Sequence, residues 1–175
     1  GIEIEAALAF GTGHHGTTRG CLLALADLAK RRRIRRVLDL GTGSGVLAIA
    51  MARIAPSRII ASDFDRVAII AAKSNVALNR TARAVSLLQA KGSNARAITN
   101  GGPYDLIFAN IILAALMRLA VPVRKLVSRG GHVVLSGLLP AHANAALAIY
   151  RAQGLTLEKR ITLDGWVTLV LRRGR

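Results

Sequence analysis

The feature that most constrains this fold is residues 36–50, an apolar segment that ends in an acid and is followed by closely spaced glycines and a second apolar segment. The acid is Asp39, and the glycines are Gly41, Gly43 and Gly45. Alternate glycines let the backbone turn sharply and let a ligand lie against peptide groups. The second apolar segment predicts a helix whose N-terminal N–H groups point into the same crevice. The pattern indicates an α/β sheet with a nucleotide-like ligand beyond its first strand.

The glycine spacing separates two classes of nucleotide-binding protein. The dinucleotide fingerprint requires a glycine at position 46, where this chain has Val46, so a nicotinamide dehydrogenase is disfavoured. An acid followed by G-x-G-x-G resembles the first motif of S-adenosylmethionine-dependent methyltransferases. A ligand with an amino-acid end gains from an acid beside its ammonium, and Asp39 supplies one. A plain strand-turn-helix without a ligand is the alternative.

Strand and helix signals alternate along the chain, which is typical of a doubly wound sheet. The predicted strands are 37–40, 58–62, 85–89, 104–109, 132–136, 155–162 and 166–172, and the predicted helices are 19–29, 44–54, 65–79, 113–127 and 141–153. Gly130 and Gly131 are expected to end the helix at 113–127. The pair Asp164-Gly165 predicts a two-residue hairpin turn between the last two strands. We therefore expect a mostly parallel seven-stranded sheet with a C-terminal antiparallel hairpin and helices on both faces.

Length and composition limit the class of protein. The 175 residues suit one domain, and the 52% apolar content is typical of parallel strands that are covered on both faces. A single cysteine, Cys21, excludes an internal disulfide and favours a reducing, cytoplasmic compartment. No segment qualifies as membrane-spanning or as a secretory signal. The chain begins at Gly1 without an initiator Met, so an origin as a fragment of something longer stays open.

The net charge of +16 invites a nucleic-acid interpretation. Only 3% of the residues are aromatic, which leaves few platforms for stacking unpaired bases. The clearest basic run, residues 30–36, precedes the first strand and is therefore expected opposite the ligand crevice, most simply as a solvated loop. We expect a weak, non-specific attraction to RNA and no sequence-specific recognition.

Two further positions are predicted to contact the ligand. Asp63 closes the second strand, where a carboxylate can accept hydrogen bonds from both ribose hydroxyls. Asp65 is better explained as the cap of the following helix. The loop after the third strand is expected at the adenine edge, where the backbone of Ala90 and Lys91 could read the base. Methyltransferases often have an acid in this loop, and Lys91 stands near that place instead.

Asn110 ends the fourth strand, beside the crevice. Its amide carbonyl can accept a hydrogen bond from an attacking amine and orient the nitrogen lone pair, whereas a role as a helix cap is the alternative. Ile111 and Ile112 follow, in place of the Pro-Pro-aromatic sequence that methyltransferases of flat amides and bases tend to have. A flexible aliphatic amine is therefore the expected acceptor.

Residues 10–18 form a dense cluster of Gly, Thr and His before the first predicted helix. Metal binding by His14 and His15 is disfavoured, because no nearby Cys or acid completes a site. A phosphate-binding loop is disfavoured as well, because no Lys follows the glycines.

Taken together, segments 9–18, 38–50 and 105–111 resemble the PrmA family of bacterial methyltransferases, and the likeness extends from about residue 4 to residue 173. That family modifies a large-subunit ribosomal protein at the base of the stalk. The resemblance implies a class I, Rossmann-like methyltransferase fold, S-adenosylmethionine as methyl donor, and methylation of lysine side chains and of the N-terminal amine. An RNA methyltransferase and a cofactor-binding fragment without activity remain the alternatives.

The resemblance also implies roles for individual residues. Asp39, Gly41, Gly43 and Asp63 would hold the cofactor, with Asn110 at the acceptor amine. The loop closing over the cofactor would consist of Phe10, Gly11, Thr12, Gly13 and His15, with Thr17 or Thr18 at the carboxylate end. The chain departs from the family where His14 and Gly16 flank His15 in place of Thr and Pro, and it has no counterpart of the family's N-terminal recognition domain.

Overall fold

The computed structural model describes Gly1 and residues 15–175. Within these residues the elements are, in chain order, α1 His15–Arg31, β1 Arg36–Leu40, α2 Val46–Ile54, β2 Arg58–Asp63, α3 Arg66–Leu78, β3 Val85–Gln89, α4 Arg96–Gly101, β4 Tyr104–Asn110, α5 Leu113–Leu126, β5 Val127–Leu138, α6 Pro140–Ala152, β6 Leu155–Leu163 and β7 Trp166–Arg173.

The strands form one sheet in the order β3-β2-β1-β4-β5-β7-β6. The first five strands along this order are parallel, and β7 runs antiparallel to both β5 and β6. Leu163 pairs with Trp166 across the predicted turn, where Asp164 and Gly165 have φ of 51° and 78°. These paired positive values are those of a tight hairpin turn that matches strand twist. The predicted fold class is confirmed.

The helices cover the sheet on both faces, because neighbouring strand residues point in opposite directions. On one face, Val37 and the side chains of the other strands that point the same way pack with residues of α1, α2 and α3. On the other face, Leu38 and the strand side chains that point with it pack with residues of α4, α5 and α6. With both sides buried, the strands carry the continuous apolar runs typical of parallel sheets. The carboxyl ends of β1, β2 and β4 are thereby left at one edge as the place for polar groups.

Three elements differ from the sequence prediction. Helix α1 begins at His15, four residues before the predicted start, and α4 is a six-residue helix that the sequence pattern did not predict. Strand β5 begins at Val127 and runs through the two glycines that were expected to precede it. Its pairing with β4 shifts between Tyr104 and Leu106, and this irregularity accommodates the extra residues around Gly130, whose φ is 72°.

Candidate active site

The glycine-rich loop lies between β1 and α2 and is fixed to the neighbouring strand. The backbone N–H groups of Gly41 and Thr42 both donate to the Ser62 carbonyl of β2, at 2.9 Å. From α3, the buried Asn75 side-chain amide donates to the Ser44 carbonyl at 2.9 Å. Gly41 and Gly43 have φ of 70° and 56°, in the left-handed region that glycine tolerates. The loop is therefore held in a preformed shape from two sides.

Asp39, at the carboxyl end of β1, is fully buried. Its Oδ2 accepts a hydrogen bond from the Thr42 hydroxyl at 2.7 Å, whereas Oδ1 has no hydrogen-bond partner in the described part of the chain. The pKa of Asp39 is raised to about 6, chiefly by burial and to a smaller extent by the nearby charge of Asp63. The Thr42 hydroxyl and the Ala48 N–H in the first turn of α2 act against this rise. A buried carboxylate oxygen without a partner is suited to a cationic ligand group.

Asp63, at the carboxyl end of β2, is also buried and connects two loops. One carboxylate oxygen accepts from the Gly43 N–H and the other from the Asp65 N–H, both at 3.0 Å. Asp65 in turn caps α3 by accepting from the Val67 N–H, which confirms its predicted role. An ionised carboxylate has about four acceptor sites, so Asp63 can accept hydrogen bonds from a ribose in addition to these two.

The loop after β3 is connected to the same place. The Ala90 N–H donates to the Asp63 carbonyl at 2.9 Å, so that Ala90 offers a ligand its carbonyl rather than its N–H. Lys91 follows, with an exposed side chain. The predicted reading of adenine by the backbone of this loop stays a prediction.

Asn110, at the carboxyl end of β4, lies beside the glycine loop. A Cβ placed on Gly41 would stand 2.2 Å from Cγ2 of Ile111 and 3.8 Å from the backbone carbonyl oxygen of Asn110, so the two loops nearly touch. The N-cap of α5 is Ile112, without a side-chain cap, so Asn110 does not cap that helix. Its half-buried side chain makes no hydrogen bond within the described residues. The amide is therefore available at the crevice.

Gly137 of β5 is a site position that the motif reasoning did not single out. Its φ is 77°, and an added Cβ would lie 3.3 Å from Asn110 Oδ1 and 3.0 Å from the Ile111 carbonyl. Glycine at this position leaves space for the Asn110 side chain. The available signal in the sequence is a glycine within the apolar segment 133–139, because a glycine in such a segment often marks close approach of another backbone or a ligand.

The first turn of α1 lies next to the carboxyl end of β5. The Ser136 hydroxyl donates to the Thr17 carbonyl at 3.3 Å and lies 3.1 Å from the Thr168 hydroxyl. Ser136 is paired in register with Asn110, so Thr17 lies one strand away from the predicted acceptor site. Thr18 is half-buried on the same turn. Thr17 and Thr18 thus belong to a helix N-terminus, which favours anions.

The remaining predicted loop residues, Phe10 to Gly13, lie outside the described residues, and of His15 the structure gives the position as the first residue of α1. Their closing role stays a prediction. Cys21 of α1 is buried, and burial raises the pKa of its thiol to about 12, with a smaller lowering by Ser136. No cluster of three or more His, Cys, Asp or Glu side chains that could hold a metal ion occurs among the described residues.

These features fit a ligand that combines a nucleoside with an amino-acid end. Positive φ at Gly41 and Gly43 lets such a ligand approach the backbone, and no side chain of the described residues caps the N-terminus of α2 at Gly45. Asp39 Oδ1, which has no partner among those residues, suits an ammonium, and Asp63 has acceptor capacity for hydroxyls. The polar groups at this edge therefore match the ammonium, the ribose hydroxyls and the nucleoside of S-adenosylmethionine in their chemistry.

The family model described as ribosomal protein L11 methyltransferase (PrmA) matches residues 1–174. This chain belongs to the PrmA family. Among curated PrmA relatives, the ribosomal protein L11 methyltransferase of Bradyrhizobium diazoefficiens is 48% identical over 172 residues, which are 98% of this chain and 58% of that protein. The relative from Rhodopseudomonas palustris is 46% identical, over 99% of this chain and 59% of that protein. The chain thus spans a little under three fifths of the length of these relatives.

One solved structure agrees with the PrmA assignment, and a second shares the fold. The ribosomal protein L11 methylase of Lactobacillus delbrueckii subsp. bulgaricus has a TM-score of 0.87 and 26% identity, covering 99% of this chain and 86% of that one. A methyltransferase from Pyrococcus furiosus has a TM-score of 0.75 at 18% identity, covering 99% of this chain and 90% of that one. The second likeness concerns the fold alone.

Proposed function

We propose that residues 1–175 are the catalytic domain of an S-adenosylmethionine-dependent protein methyltransferase that acts on amines of ribosomal protein L11. Membership of the PrmA family supports the reaction class, and the names of the relatives support the substrate. The observation that carries the proposal is the carboxyl edge of the sheet. There, three adjacent strands end in polar side chains: a buried aspartate, a second buried aspartate and an asparagine. Within the described residues, one oxygen of the first aspartate and the asparagine side chain have no hydrogen-bond partner.

Each site residue has a role in binding. Asp39 holds the ammonium of the methyl donor, and Asp63 accepts hydrogen bonds from the ribose hydroxyls. Gly41 and Gly43 allow close approach, and the backbone of Ala90 meets the adenine. Thr17 and Thr18 bind the carboxylate end at the N-terminus of α1, and residues Phe10, Gly11, Thr12, Gly13 and His15 close over the site.

S-Adenosylmethionine supplies an electrophilic methyl carbon with a thioether leaving group. Bound there, it would offer that carbon to an acceptor amine, with the thioether as leaving group and the amine proton passing to water. A lysine amine has a pKa of about 10.4, and removal from water favours its neutral, nucleophilic form. The side-chain carbonyl of Asn110 accepts a hydrogen bond from an N–H of the acceptor amine. This bond directs the lone pair of the amine nitrogen. Catalysis then consists largely of aligning the acceptor nitrogen with the methyl group.

The proposed partner is the ribosomal protein, with a weak non-specific contact to RNA and a cytoplasmic location. No helix in the described part of the chain is long and apolar enough to span a membrane.

The decisive experiment is transfer of a radiolabelled methyl group from S-adenosylmethionine to purified large ribosomal subunits and to free ribosomal protein L11. We expect the label in that protein, at lysine or N-terminal amines identified by mass spectrometry. Label in ribosomal RNA would instead support the RNA methyltransferase.

Calorimetry on the same preparation separates binding from transfer. S-Adenosylmethionine should bind, and NAD should not. If S-adenosylmethionine binds but no methyl group reaches either substrate, the chain is a cofactor-binding fragment without activity. If S-adenosylmethionine does not bind, the proposal is overturned.

A further inference from the structure

Basic side chains are concentrated at the edge of the sheet opposite the candidate active site. Arg36 and Arg58 begin the adjacent parallel strands β1 and β2 and stand directly opposite each other in register. On β7, which runs the other way, Arg172 pairs with His132 near the start of β5. Arg129 precedes His132 on β5. The amino ends of the parallel strands therefore form an arginine-rich edge.

Two depressions in the surface lie along this edge and share Arg32. One, of about 630 Å³, is bordered by Arg31, Arg129, Arg172 and Arg175. The other, of about 770 Å³, is bordered by Arg33, Arg35, Arg36 and Arg58. We call this continuous surface the basic face.

The acids at this edge are already engaged. Glu158 lies 2.8 Å from His132, 3.6 Å from Arg31 and 3.8 Å from Arg172. Asp105 accepts hydrogen bonds from two backbone N–H groups, those of Arg35 and Arg36. By contrast, the exposed side chains of Arg33, Arg129 and Arg175 have no hydrogen bond or ion pair within the described residues. Positive charge on the face therefore exceeds what its own acids neutralise.

Helix stabilisation does not account for this excess. Cations at helix C-termini are favoured by the helix dipole, which explains Arg31 in the last turn of α1. Arg58 and Arg129 are strand residues, and Arg33 and Arg175 lie outside helices and strands. Clustering like charges destabilises the folded state by repulsion, so the arrangement suits an external anion better than folding.

The dimensions favour an extended polyanion. Arg58 on β2 and Arg172 on β7 are four strands apart, which at about 4.8 Å per strand corresponds to roughly 19 Å. The planar guanidinium fork matches phosphate geometry. Aromatic side chains of the described residues are buried in the core or, like Phe64 and Trp166, lie at the carboxyl edge, so the face offers no stacking platform for unpaired bases. On the basis of the proposed ribosomal function, we propose that the basic face binds the phosphate backbone of double-stranded RNA, independently of sequence.

This placement leaves the candidate active site free. Asp39 and Asn110 end their strands at the other edge of the sheet, so RNA held at the basic face leaves the crevice open to a second ligand. RNA binding and methyl transfer are thus separable, and failure of one leaves the other intact.

The test is fluorescence anisotropy with a labelled RNA duplex of arbitrary sequence, measured from about 50 to 400 mM KCl. The face variant is Arg33→Gln/Arg129→Gln/Arg175→Gln, since these side chains have no hydrogen bond or ion pair within the described residues. The control Lys73→Gln/Arg96→Gln/Arg118→Gln removes the same charge from exposed positions on α3, α4 and α5. We expect the face variant to weaken binding at least about tenfold, and to reduce the slope of log Kd against log salt by about 2 to 3 for three lost phosphate contacts.

The control variant should bind nearly as well as the parent chain, and cofactor affinity should be unchanged in both. If the two variants lose duplex affinity equally, the effect is one of net charge alone and the proposal is overturned. Stronger binding of unpaired RNA than of duplex would overturn it too, as would equal competition by a polyglutamate of matched charge. Absence of duplex binding at low salt would overturn it as well.

Discussion

At the scale of single residues, the site is defined by side chains whose bonding is incomplete. Asp39 is fully buried yet satisfies one of its two oxygens, and Asn110 ends its strand without a hydrogen bond from its side chain in the described structure. Burying a polar group without a partner costs about 1–3 kcal/mol, so such groups rarely persist without a function. The unpartnered oxygen of the buried Asp39 therefore costs the folded state stability that a bound ligand can restore, whereas the half-buried Asn110 side chain carries a smaller cost.

Replacing Asp39 by Asn should stabilise the free protein while weakening cofactor binding. Because burial raises the pKa of Asp39 to about 6, the folded state binds this proton more tightly than the unfolded state. Parent stability should therefore fall as pH rises from about 4 to 6 and stay low above that. At neutral pH, D39N should raise the free energy of unfolding by roughly 2–3 kcal/mol, and the difference should vanish near pH 4. Urea titrations across this range measure it.

Asp164→Asn is the matched control, since it removes an exposed acid at a turn position where Asn is tolerated. Its stability difference should not depend on pH in this range. Calorimetry should show at least about tenfold weaker S-adenosylmethionine binding by D39N, the loss of one charge-assisted contact. Parallel pH profiles for D39N and the parent chain would contradict the assigned pKa.

Replacing Asn110 by Ala should lower methyl transfer and spare the cofactor. The side chain is proposed to touch the acceptor amine, so we expect turnover to fall by about 10²-fold, the loss of one orienting group. Single-turnover transfer of labelled methyl to ribosomal protein L11 measures the rate, and calorimetry measures the affinity. Asn100→Ala, at an exposed position of α4, should behave as the parent chain. An equal loss of cofactor affinity in N110A would refute an acceptor role.

At the scale of elements, the site is formed by the contact between the β1–α2 loop and the end of β4. Gly41 has no space for a side chain, because Ile111 lies where a Cβ would project. The same loop is bonded to the end of β2 through Ser62 and to α3 through Asn75. The loop is therefore rigid before any ligand binds.

Gly41→Ala and Gly92→Ala separate steric crowding from backbone strain. Both glycines have φ of 70°, but a Cβ on Gly41 meets Ile111 at 2.2 Å, whereas a Cβ on Gly92 meets nothing within 4 Å. Left-handed backbone costs a non-glycine residue about 1–2 kcal/mol, and overpacking adds about 1–3 kcal/mol. G41A should therefore unfold at least about 1 kcal/mol more easily than G92A. Denaturant unfolding measures the two free energies of unfolding. Equal losses of stability in G41A and G92A would mean that the Ile111 side chain moves aside without an energetic cost.

At the scale of the whole molecule, charge is separated across the sheet. The aspartates of the candidate site lie at the carboxyl edge, and the basic face lies at the amino edge, within a chain of net charge +16. Such a charge repels itself in the folded state, and salt screens the repulsion over a Debye length of about 10 Å at 0.1 M.

The melting temperature should therefore rise between about 20 and 300 mM KCl, by a few degrees. The face variant carries three fewer charges in the most crowded region, so it should melt higher at low salt and gain less from added salt. Differential scanning calorimetry measures both curves. A parent melting temperature that is flat or falls with salt would show that the arginines of the face do not repel one another appreciably.

Much of this arrangement could be predicted from the chain. The order of the strands along the chain, the turn at Asp164-Gly165 and the cap at Asp65 are local signals that are confirmed, whereas the early start of β5 at Val127 was not predicted. The earlier start of α1 was not predictable, because His15, Gly16 and the two threonines are weak helix formers. Their turn is held from outside, by Ser136 of β5 and by Leu163 and Trp166, against which Gly16 packs closely.

The sequence by itself determined the class of fold and the positions of Asp39, Asp63 and Asn110 at strand ends, because apolar periodicity and glycine spacing are local properties of the chain. Only the tertiary structure decided that one oxygen of Asp39 has no partner within the described part of the chain, that Gly137 leaves space for Asn110, and that arginines from separate strands form one surface. These facts depend on which residues become neighbours when β1, β4, β5 and β7 pair, and pairing between distant segments leaves no mark in local sequence.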